Sequence, residues 1–235
     1  MSIALVTFDL DDTLWSVAPV MHGAEAALRE WLAASAPKLG PVPVEHLWLI
    51  RKRLLLLEPS LSHRLSELRR RILQLALREA GYADVQAEQL AEQGFQVFLH
   101  ARHQVELFPE VHPTLEKLAN RYCLGVITNG NADVRRLGLA DYFHFALNAE
   151  DLGIGKPDPH PFNQALQRAG VAAHQAVHIG DHPGDDIAGA LAAGLQAIWF
   201  NPQGKAWEGQ QPADAEIRNL AELPAVLEQL DNKSA

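Results

Sequence analysis

Short apolar segments alternate with segments of helical periodicity through the second half of the chain. An apolar run that ends at Asp9 and four later segments have the length and composition of buried β-strands: residues 122–127, 145–148, 175–179 and 195–200. The segments between them are predicted to be helical, at about residues 112–121, 133–139, 160–170 and 185–193. This alternation predicts an α/β fold with a Rossmann-like, doubly wound parallel sheet that carries helices on both faces.

A long region without strand-like runs interrupts this pattern. Four consecutive segments in it repeat apolar residues at helical spacing, at residues 22–35, 43–57, 61–81 and 85–103. Residues 16–105 are therefore expected to form an inserted helical bundle, and residues 1–15 and 106–235 the α/β core. The Pro- and Gly-rich patch at 201–213 is expected to be a loop.

Two carboxylates, Asp9 and Asp11, follow the first predicted strand. The carboxyl ends of parallel strands form the edge at which α/β sheets bind ligands, so this pair predicts metal binding, proton transfer or both. Asp is also common in turns after strands, where its side chain bonds nearby backbone groups. The catalytic interpretation therefore depends on partners elsewhere in the chain.

The first partners follow the strand at 122–127. Thr128 ends this strand, and the turn at Asn129 offers backbone amides, a combination that suits a phosphate oxygen but also an ordinary helix cap. Lys156 lies between Gly155 and Pro157, which indicates a positioned cation, although a single lysine is often a solvated surface charge.

Further acidic residues follow the strand at 175–179. Asp181 lies at the strand tip, and Asp186 lies where the next helix is expected to begin. Asp185 is interpreted as the cap of that helix. His178 lies within the strand and His182 in the loop, where a histidine can contact substrate or have a structural role.

Taken together, these four segments resemble the haloacid dehalogenase superfamily of hydrolases. The family pattern is a strand followed by Asp-x-Asp-x-Thr, a strand ending in Ser or Thr, a lysine, and a strand followed by Gly-Asp-x-x-x-x-Asp, and all four occur here in order. The resemblance covers the whole chain. It implies a catalytic α/β core and a helical cap inserted between the first and second motifs.

The resemblance also implies roles for the motif residues. A carboxylate such as Asp9 can attack phosphorus and form an acyl phosphate, and a second carboxylate, Asp11 by its match, can act as acid and then base. Thr128, the amide of Asn129 and Lys156 would meet the charge of the phosphoryl group.

A metal ion is the expected cofactor. Hard oxygen ligands beside a phosphate favour Mg²⁺. By resemblance, the side chains of Asp9 and Asp181 and the backbone carbonyl of Asp11 would bind it, and Asp186 would orient metal-bound water or Lys156. The histidines are scattered and there is one cysteine, so the sequence does not indicate a zinc site.

Three functions remain open from the sequence. The first is a Mg²⁺-dependent phosphatase acting on a small phosphorylated metabolite, with phosphomutase activity as a variant. The second is a 2-haloacid dehalogenase, whose chemistry dispenses with the second aspartate of the first motif, so that Asp11 favours phosphoryl chemistry. The third is a non-catalytic binding module on the same fold.

A narrower resemblance concerns the substrate. Residues 127–132 and 137–143 are similar to the bacterial flavin-pathway phosphatases, which hydrolyse flavin mononucleotide and 5-amino-6-(5-phosphoribitylamino)uracil. Trp15, Trp48, the loop at 58–63 and the cap arginines Arg69 and Arg71 are candidates to contact such a ring. Arg69 and Arg71 belong to a cationic stretch at residues 51–71 that also contains Arg51, Lys52, Arg53, Arg64 and Arg70.

Composition limits the partners and the compartment. The 235 residues carry a formal net charge of −9, which argues against non-specific nucleic-acid binding. The single cysteine, Cys123, excludes an intrachain disulfide and suits a reducing compartment. The sequence shows no leader and no membrane-spanning apolar run, so a cytoplasmic monomer or homodimer is expected.

Overall fold

The protein divides into two compact units. In a computed structural model, which describes residues 2–40, 44–207, 209 and 211–233, one unit comprises Met1–Ser16 and Glu106–Ala235, and the other comprises Val17–Val105. We refer to them as the core unit and the cap unit.

The core unit contains a parallel sheet of six strands. They are β1 (Leu5–Phe8), β2 (Cys123–Thr128), β3 (Phe145–Asn148), β4 (Ala176–Gly180), β5 (Gln196–Phe200) and β6 (Ala215–Ile217). Their order in the sheet is β3-β2-β1-β4-β5-β6, and every neighbouring pair is parallel. The predicted α/β fold with a Rossmann-like parallel sheet is confirmed. The chain builds one half of the sheet outward from β1 and then the other half from β4, so the direction of winding changes between these two strands.

The regular secondary structure of the cap unit is helical in the residues that the structure describes. Its α-helices are α1 (Val17–Ser35), α2 (Val44–Leu57), α3 (Leu65–Glu79) and α4 (Asp84–Arg102). The helix expected from residue 61 begins only at Leu65, because Pro59–His63 forms a separate 3₁₀-helix. Apolar side chains of α1, α3 and α4 share one interior cluster, with Leu28, Leu77 and Phe95 among its members.

The remaining helices belong to the core unit. They are α5 (Val111–Ala119), α6 (Ala149–Leu152), α7 (Pro159–Ala169), α8 (Gly189–Ala192) and α9 (Leu223–Lys233), and a π-helical segment spans Pro183–Ala188. In the described part of the chain, no helix combines the length and apolar character needed to cross a bilayer.

One predicted helix was wrong. Residues 134–138 form consecutive turns instead; the side chain of Asp133 accepts a hydrogen bond from the amide of Arg135, and Gly138 has a φ of 69°. An Asp that bonds backbone two residues on and a left-handed glycine both favour turns over helix. The elements β6, α6 and α9 were not predicted, whereas the expected loop at 201–213 contains no helix or strand among its described residues.

The cap arginines have partners inside the cap unit. Arg69 lies over the ring of Phe98, with 3.7 Å from its guanidinium carbon to the ring centroid. Arg71 donates to Glu67 and Glu58 at 2.6 and 2.5 Å. Each guanidinium is thus engaged in cation–π or ion-pair contacts within this unit, and a role for Arg69 and Arg71 in substrate binding stays a prediction.

Candidate active site

The carboxylates of Asp9, Asp181 and Asp186 meet at the edge of the sheet where the winding changes. Asp9 follows β1 and Asp181 follows β4, and the pairing of the two strands continues as the amide of Asp9 donates to Ile179 O at 2.8 Å. One carboxylate oxygen from each aspartate lies within 4.8 Å of the others. Ligands bind at such switch points in open α/β sheets.

A buried lysine neutralises part of this acidic cluster. The Nζ atom of Lys156 lies 2.6 Å from Asp9 Oδ1, 2.5 Å from Asp186 Oδ1 and 2.7 Å from Ile127 O. An ammonium group has three N–H donors, and these three acceptors use all of them. Sequence reasoning expected Lys156 to donate to a phosphoryl oxygen, but in this arrangement its main effect is to hold the Asp9 carboxylate in place.

The side chain of Asn129 fixes the backbone of Lys156. Its Oδ1 accepts from Lys156 N and its Nδ2 donates to Lys156 O, both at 2.8 Å. Gly155 is required for this contact, because a Cβ atom there would lie 2.4 Å from Asn129 Oδ1. Sequence reasoning considered only the amide of Asn129 and missed this clamp.

Thr128 lies at the end of β2 and is buried. Its Oγ1 accepts a hydrogen bond from the amide of Gly130 at 3.0 Å. The hydroxyl oxygen thus accepts a hydrogen bond within the turn, and the O–H group can donate one to an anionic ligand.

Asp186 is held by several donors. Its Oδ2 accepts from the amide of His182 at 2.9 Å, and its Oδ1 lies 3.0 Å from His178 Nε2. Gly180 allows this approach, because a Cβ atom there would lie 2.2 Å from Asp186 Cγ. The prediction that Asp185 caps this helix was wrong. The cap of the π-helical segment is His182, whose Nδ1 accepts a hydrogen bond from the amide of Asp185.

Burial and charge shift the acid–base properties of the cluster in opposite directions. Burial raises the pKa of Asp9 to about 8, against the lowering effect of Lys156. Burial, with the nearby Asp186, raises the pKa of Asp181 to about 6. Burial would also raise the pKa of Asp186, but Lys156 and His178 outweigh it and the pKa is lowered. Burial lowers the pKa of His178, so its imidazole is neutral at pH 7.

Asp11 lies in the turn after β1, where its side chain is anchored. Trp15 Nε1 donates to Asp11 Oδ1 at 3.1 Å, and Asp12 between them adopts a φ of 57°, a conformation that Asp tolerates. Trp15 is fully buried. The expectation that Trp15 stacks on a substrate ring is therefore wrong, because its ring lies in the protein interior and its indole orients Asp11.

The cluster fits a hard divalent cation. Its donors are carboxylate oxygens, and Asp9 and Asp181 are the two whose pKa is raised overall, because burial outweighs their favourable contacts. A cation between them would offset that cost, and oxygen ligands of this kind suit Mg²⁺.

Known proteins resemble the chain over most of its length. A family model described as haloacid dehalogenase-like hydrolase matches residues 3–194. The Escherichia coli protein YigB, a 5-amino-6-(5-phospho-D-ribitylamino)uracil phosphatase, is 31% identical and the match covers 96% of each chain. A phosphoserine phosphatase of Thermus thermophilus is 32% identical, over 93% of this chain and 97% of its own.

Solved structures agree with the fold. A Pseudomonas syringae pv. tomato protein described as a 2-haloacid dehalogenase superposes with a TM-score of 0.96 at 69% identity, over 97% of this chain and 99% of its own. The HAD hydrolase YfnB of Bacillus subtilis, described as bound to magnesium, superposes with a TM-score of 0.67 at 27% identity, over 97% and 99% of the two chains. The chain therefore belongs to the haloacid dehalogenase-like hydrolase family.

Proposed function

We propose that this chain is a Mg²⁺-dependent phosphatase that hydrolyses the phosphate monoester of a small metabolite through an aspartyl-phosphate on Asp9. The observation that carries the proposal is the pair of acids in one turn. Lys156 holds Asp9, and the indole of Trp15 holds Asp11 two residues further on. Such a pair supplies a nucleophile and a separate proton donor, which hydrolysis of an alkyl phosphate requires.

The chemistry divides into two steps. Lys156 binds Asp9 Oδ1 and favours its ionised form, which leaves Oδ2 to attack phosphorus. As the Asp9 oxygen–phosphorus bond forms, the bond to the leaving oxygen breaks and Asp11 gives that oxygen a proton. Asp11 then takes a proton from a water molecule, whose oxygen attacks the same phosphorus and releases Asp9. The hydroxyl of Thr128 and the amide of Asn129 donate to the phosphoryl oxygens in both steps.

In this proposal Mg²⁺ would be held by the side chains of Asp9 and Asp181 and by the backbone carbonyl of Asp11, and Asp186 would support Lys156. When bound, the ion would neutralise charge on the transferring phosphoryl group. The carboxylate cluster of the core unit and the magnesium described for YfnB support this assignment.

For the substrate we infer a phosphate on a flexible chain joined to a flat ring. The similarity to YigB supports 5-amino-6-(5-phosphoribitylamino)uracil, with flavin mononucleotide as a second substrate of the same form. We further infer that the unit at Val17–Val105 serves as the cap. We also propose that the protein is a cytoplasmic monomer or homodimer that binds neither nucleic acid nor membranes, in keeping with its net charge of −9 and single cysteine.

Dehalogenation is the second candidate, favoured by the description of the Pseudomonas syringae relative. In that reaction a carboxylate attacks carbon and displaces a halide ion, and water then attacks the ester carbonyl. A halide leaves without a proton, so the anchored carboxyl of Asp11 would have no leaving group to protonate.

Turnover assays with matched variants separate these two activities. Purified enzyme with Mg²⁺ is tested for phosphate release from the two flavin-pathway compounds and phosphoserine, and for halide release from 2-chloropropionate. We expect phosphate release that is lost in Asp9→Asn and reduced in Asp11→Asn, and no halide release. Halide release that survives Asp11→Asn, without any phosphate release, would contradict the proposal. Preferential hydrolysis of phosphoserine would contradict only the choice of substrate.

A further inference from the structure

A chain of buried polar side chains lies behind the candidate nucleophile. It runs from Thr7 on β1 to His178 on β4, then to Asp186, Lys156 and Asp9, with successive polar atoms 2.9, 3.0, 2.5 and 2.6 Å apart. Each of these side chains is buried. An unsatisfied polar group in the protein interior is costly, so each side chain of this series fixes the position of the next one.

The hydrogen bonds of His178 define its tautomer. Nε2 faces Asp186 Oδ1, which only accepts, so Nε2 carries the hydrogen. In the neutral ring Nδ1 then accepts, and the hydroxyl of Thr7, 2.9 Å away, is its donor in preference to the more distant Val177 O, which lies 3.3 Å from the same hydroxyl. The pairing of Thr7 with His178 across the β1–β4 ladder keeps these two side chains adjacent.

His178 controls where the negative charge of Asp186 lies. Asp186 Oδ1 accepts from His178 Nε2 and also from Lys156 Nζ, so the imidazole fixes the oxygen that orients the ammonium. The ring itself is held edge-on by Phe162, with 5.2 Å between ring centroids. Displacing Asp186 Oδ1 would move Lys156, and with it the contact to Asp9.

We propose that His178 is a positioning residue: its Nε2–H fixes Asp186, and thereby Lys156 and Asp9, while the Thr7 hydroxyl fixes its ring. The inference rests on the proposed function for its kinetic consequences. Because the chain of contacts ends at the nucleophile and lies behind it in the core, loss of the Nε2 donor is expected to lower kcat and to leave KM largely unchanged.

Two amide variants of similar polarity, His178→Gln and His178→Asn, each keep one of the two hydrogen bonds of the ring and remove the other. Gln at position 178 places an amide nitrogen where Nε2 lies and keeps a donor to Asp186. Asn reaches only as far as Nδ1, so it can still pair with Thr7 but not with Asp186. We expect His178→Asn to lower kcat by about 10- to 100-fold, as is common for groups that orient metal-site residues, with His178→Gln close to the wild type.

A purely structural role would give a different pattern. Equal loss of kcat in both variants, in proportion to their loss of thermal midpoint, would overturn the proposal, and so would a KM effect with unchanged kcat. If His178→Asn does not fold, Thr7→Val and Thr7→Ser repeat the comparison: the Ser variant keeps the hydroxyl and should keep kcat, whereas the Val variant should lower it. Equal kcat in these two would also overturn the proposal.

An NMR measurement tests the same arrangement without turnover. A long-range ¹H–¹⁵N spectrum of the wild-type protein, with the His178 signals identified by their absence in His178→Gln, is expected to show a protonated Nε2 and an unprotonated Nδ1. The opposite tautomer cannot donate to Asp186 and would overturn the inference. If the expected tautomer is found but the wild type releases no phosphate from any substrate tested, it is the proposed function that fails.

Discussion

Substitution of Gly155 by alanine should impair the enzyme through Asn129. The new Cβ atom would lie 2.4 Å from Asn129 Oδ1 and 3.0 Å from Ala149 Cβ, so the Asn129 side chain must turn away. Doing so breaks its two hydrogen bonds to the backbone of Lys156. At about 1 kcal/mol net for each bond, unfolding should become about 2 kcal/mol easier. If Lys156 shifts by about 1 Å, kcat should fall by about 100-fold.

A double-mutant cycle tests this reasoning. Asn129→Ala removes the same two bonds directly, so it should cost a similar free energy of unfolding. In the Asn129→Ala background the clash with Asn129 is gone and the Ala149 Cβ contact at 3.0 Å remains, so the further cost of Gly155→Ala should be smaller. The losses of unfolding free energy in the two single variants, added together, should therefore exceed the loss in the double variant by about 2 kcal/mol. Independent sites would differ from additivity by only a few tenths of a kcal/mol. Urea unfolding followed by tryptophan fluorescence provides the measurement, and additive effects would refute the coupling.

Three further results are expected. Asp11→Asn should slow phosphorylation of the enzyme by an alkyl phosphate more than by an aryl phosphate, which needs less protonation, and equal slowing in single turnovers would argue against Asp11 as the acid. A chelator should reduce activity to background, and Asp181→Ala should raise the Mg²⁺ concentration for half-maximal activity by about tenfold or more; unchanged metal dependence would remove Asp181 from the site. Arg71→Gln should leave KM for the flavin-pathway compounds unchanged, because its guanidinium already pairs with Glu58 and Glu67, and a large rise in KM would restore it as a substrate contact.

The sequence was sufficient to predict the parallel sheet and the helical insertion. Buried strands such as β2 and β4 are short, continuous apolar runs, and their length and the turn residues beside them are visible without tertiary information. It failed at residues 133–139, where Asp133 and Gly138 favour turns over the helical spacing. The strand β6 is only three residues long, too short for its pattern to be distinguished from loop.

The site was predictable only in part, because several of its residues act across the fold. Asp9, Lys156 and Asp186 lie in motifs, and the structure brings them together. Nothing in the sequence around Asn129 reveals that its side chain bonds the backbone 27 residues away. A histidine within a strand, three residues before Asp181, was a usable signal for His178, but its partner Thr7 is 171 residues distant.

The contacts of the cationic stretch at residues 51–71 were the least predictable from the sequence. The cationic stretch in the cap looked available for a substrate, yet Arg69 lies over Phe98 and Arg70 pairs with Glu92 at 2.7 Å. Sequence spacing shows which residues share a helix face. It does not show the aromatic and acidic side chains that contact these arginines, because Phe98 and Glu92 belong to another helix.

The central claim is that Asp9 becomes covalently phosphorylated, and trapping that species tests it most directly. Asp11→Asn should accumulate the phosphoenzyme, because the water that hydrolyses it lacks its base. Rapid acid quench after mixing with an aryl phosphate, followed by borohydride reduction, converts an aspartyl-phosphate into homoserine, which peptide mass spectrometry locates. We predict homoserine at position 9 and none in Asp9→Asn. Homoserine at another aspartate, or full single-turnover phosphate release with no trapped species, would contradict the mechanism.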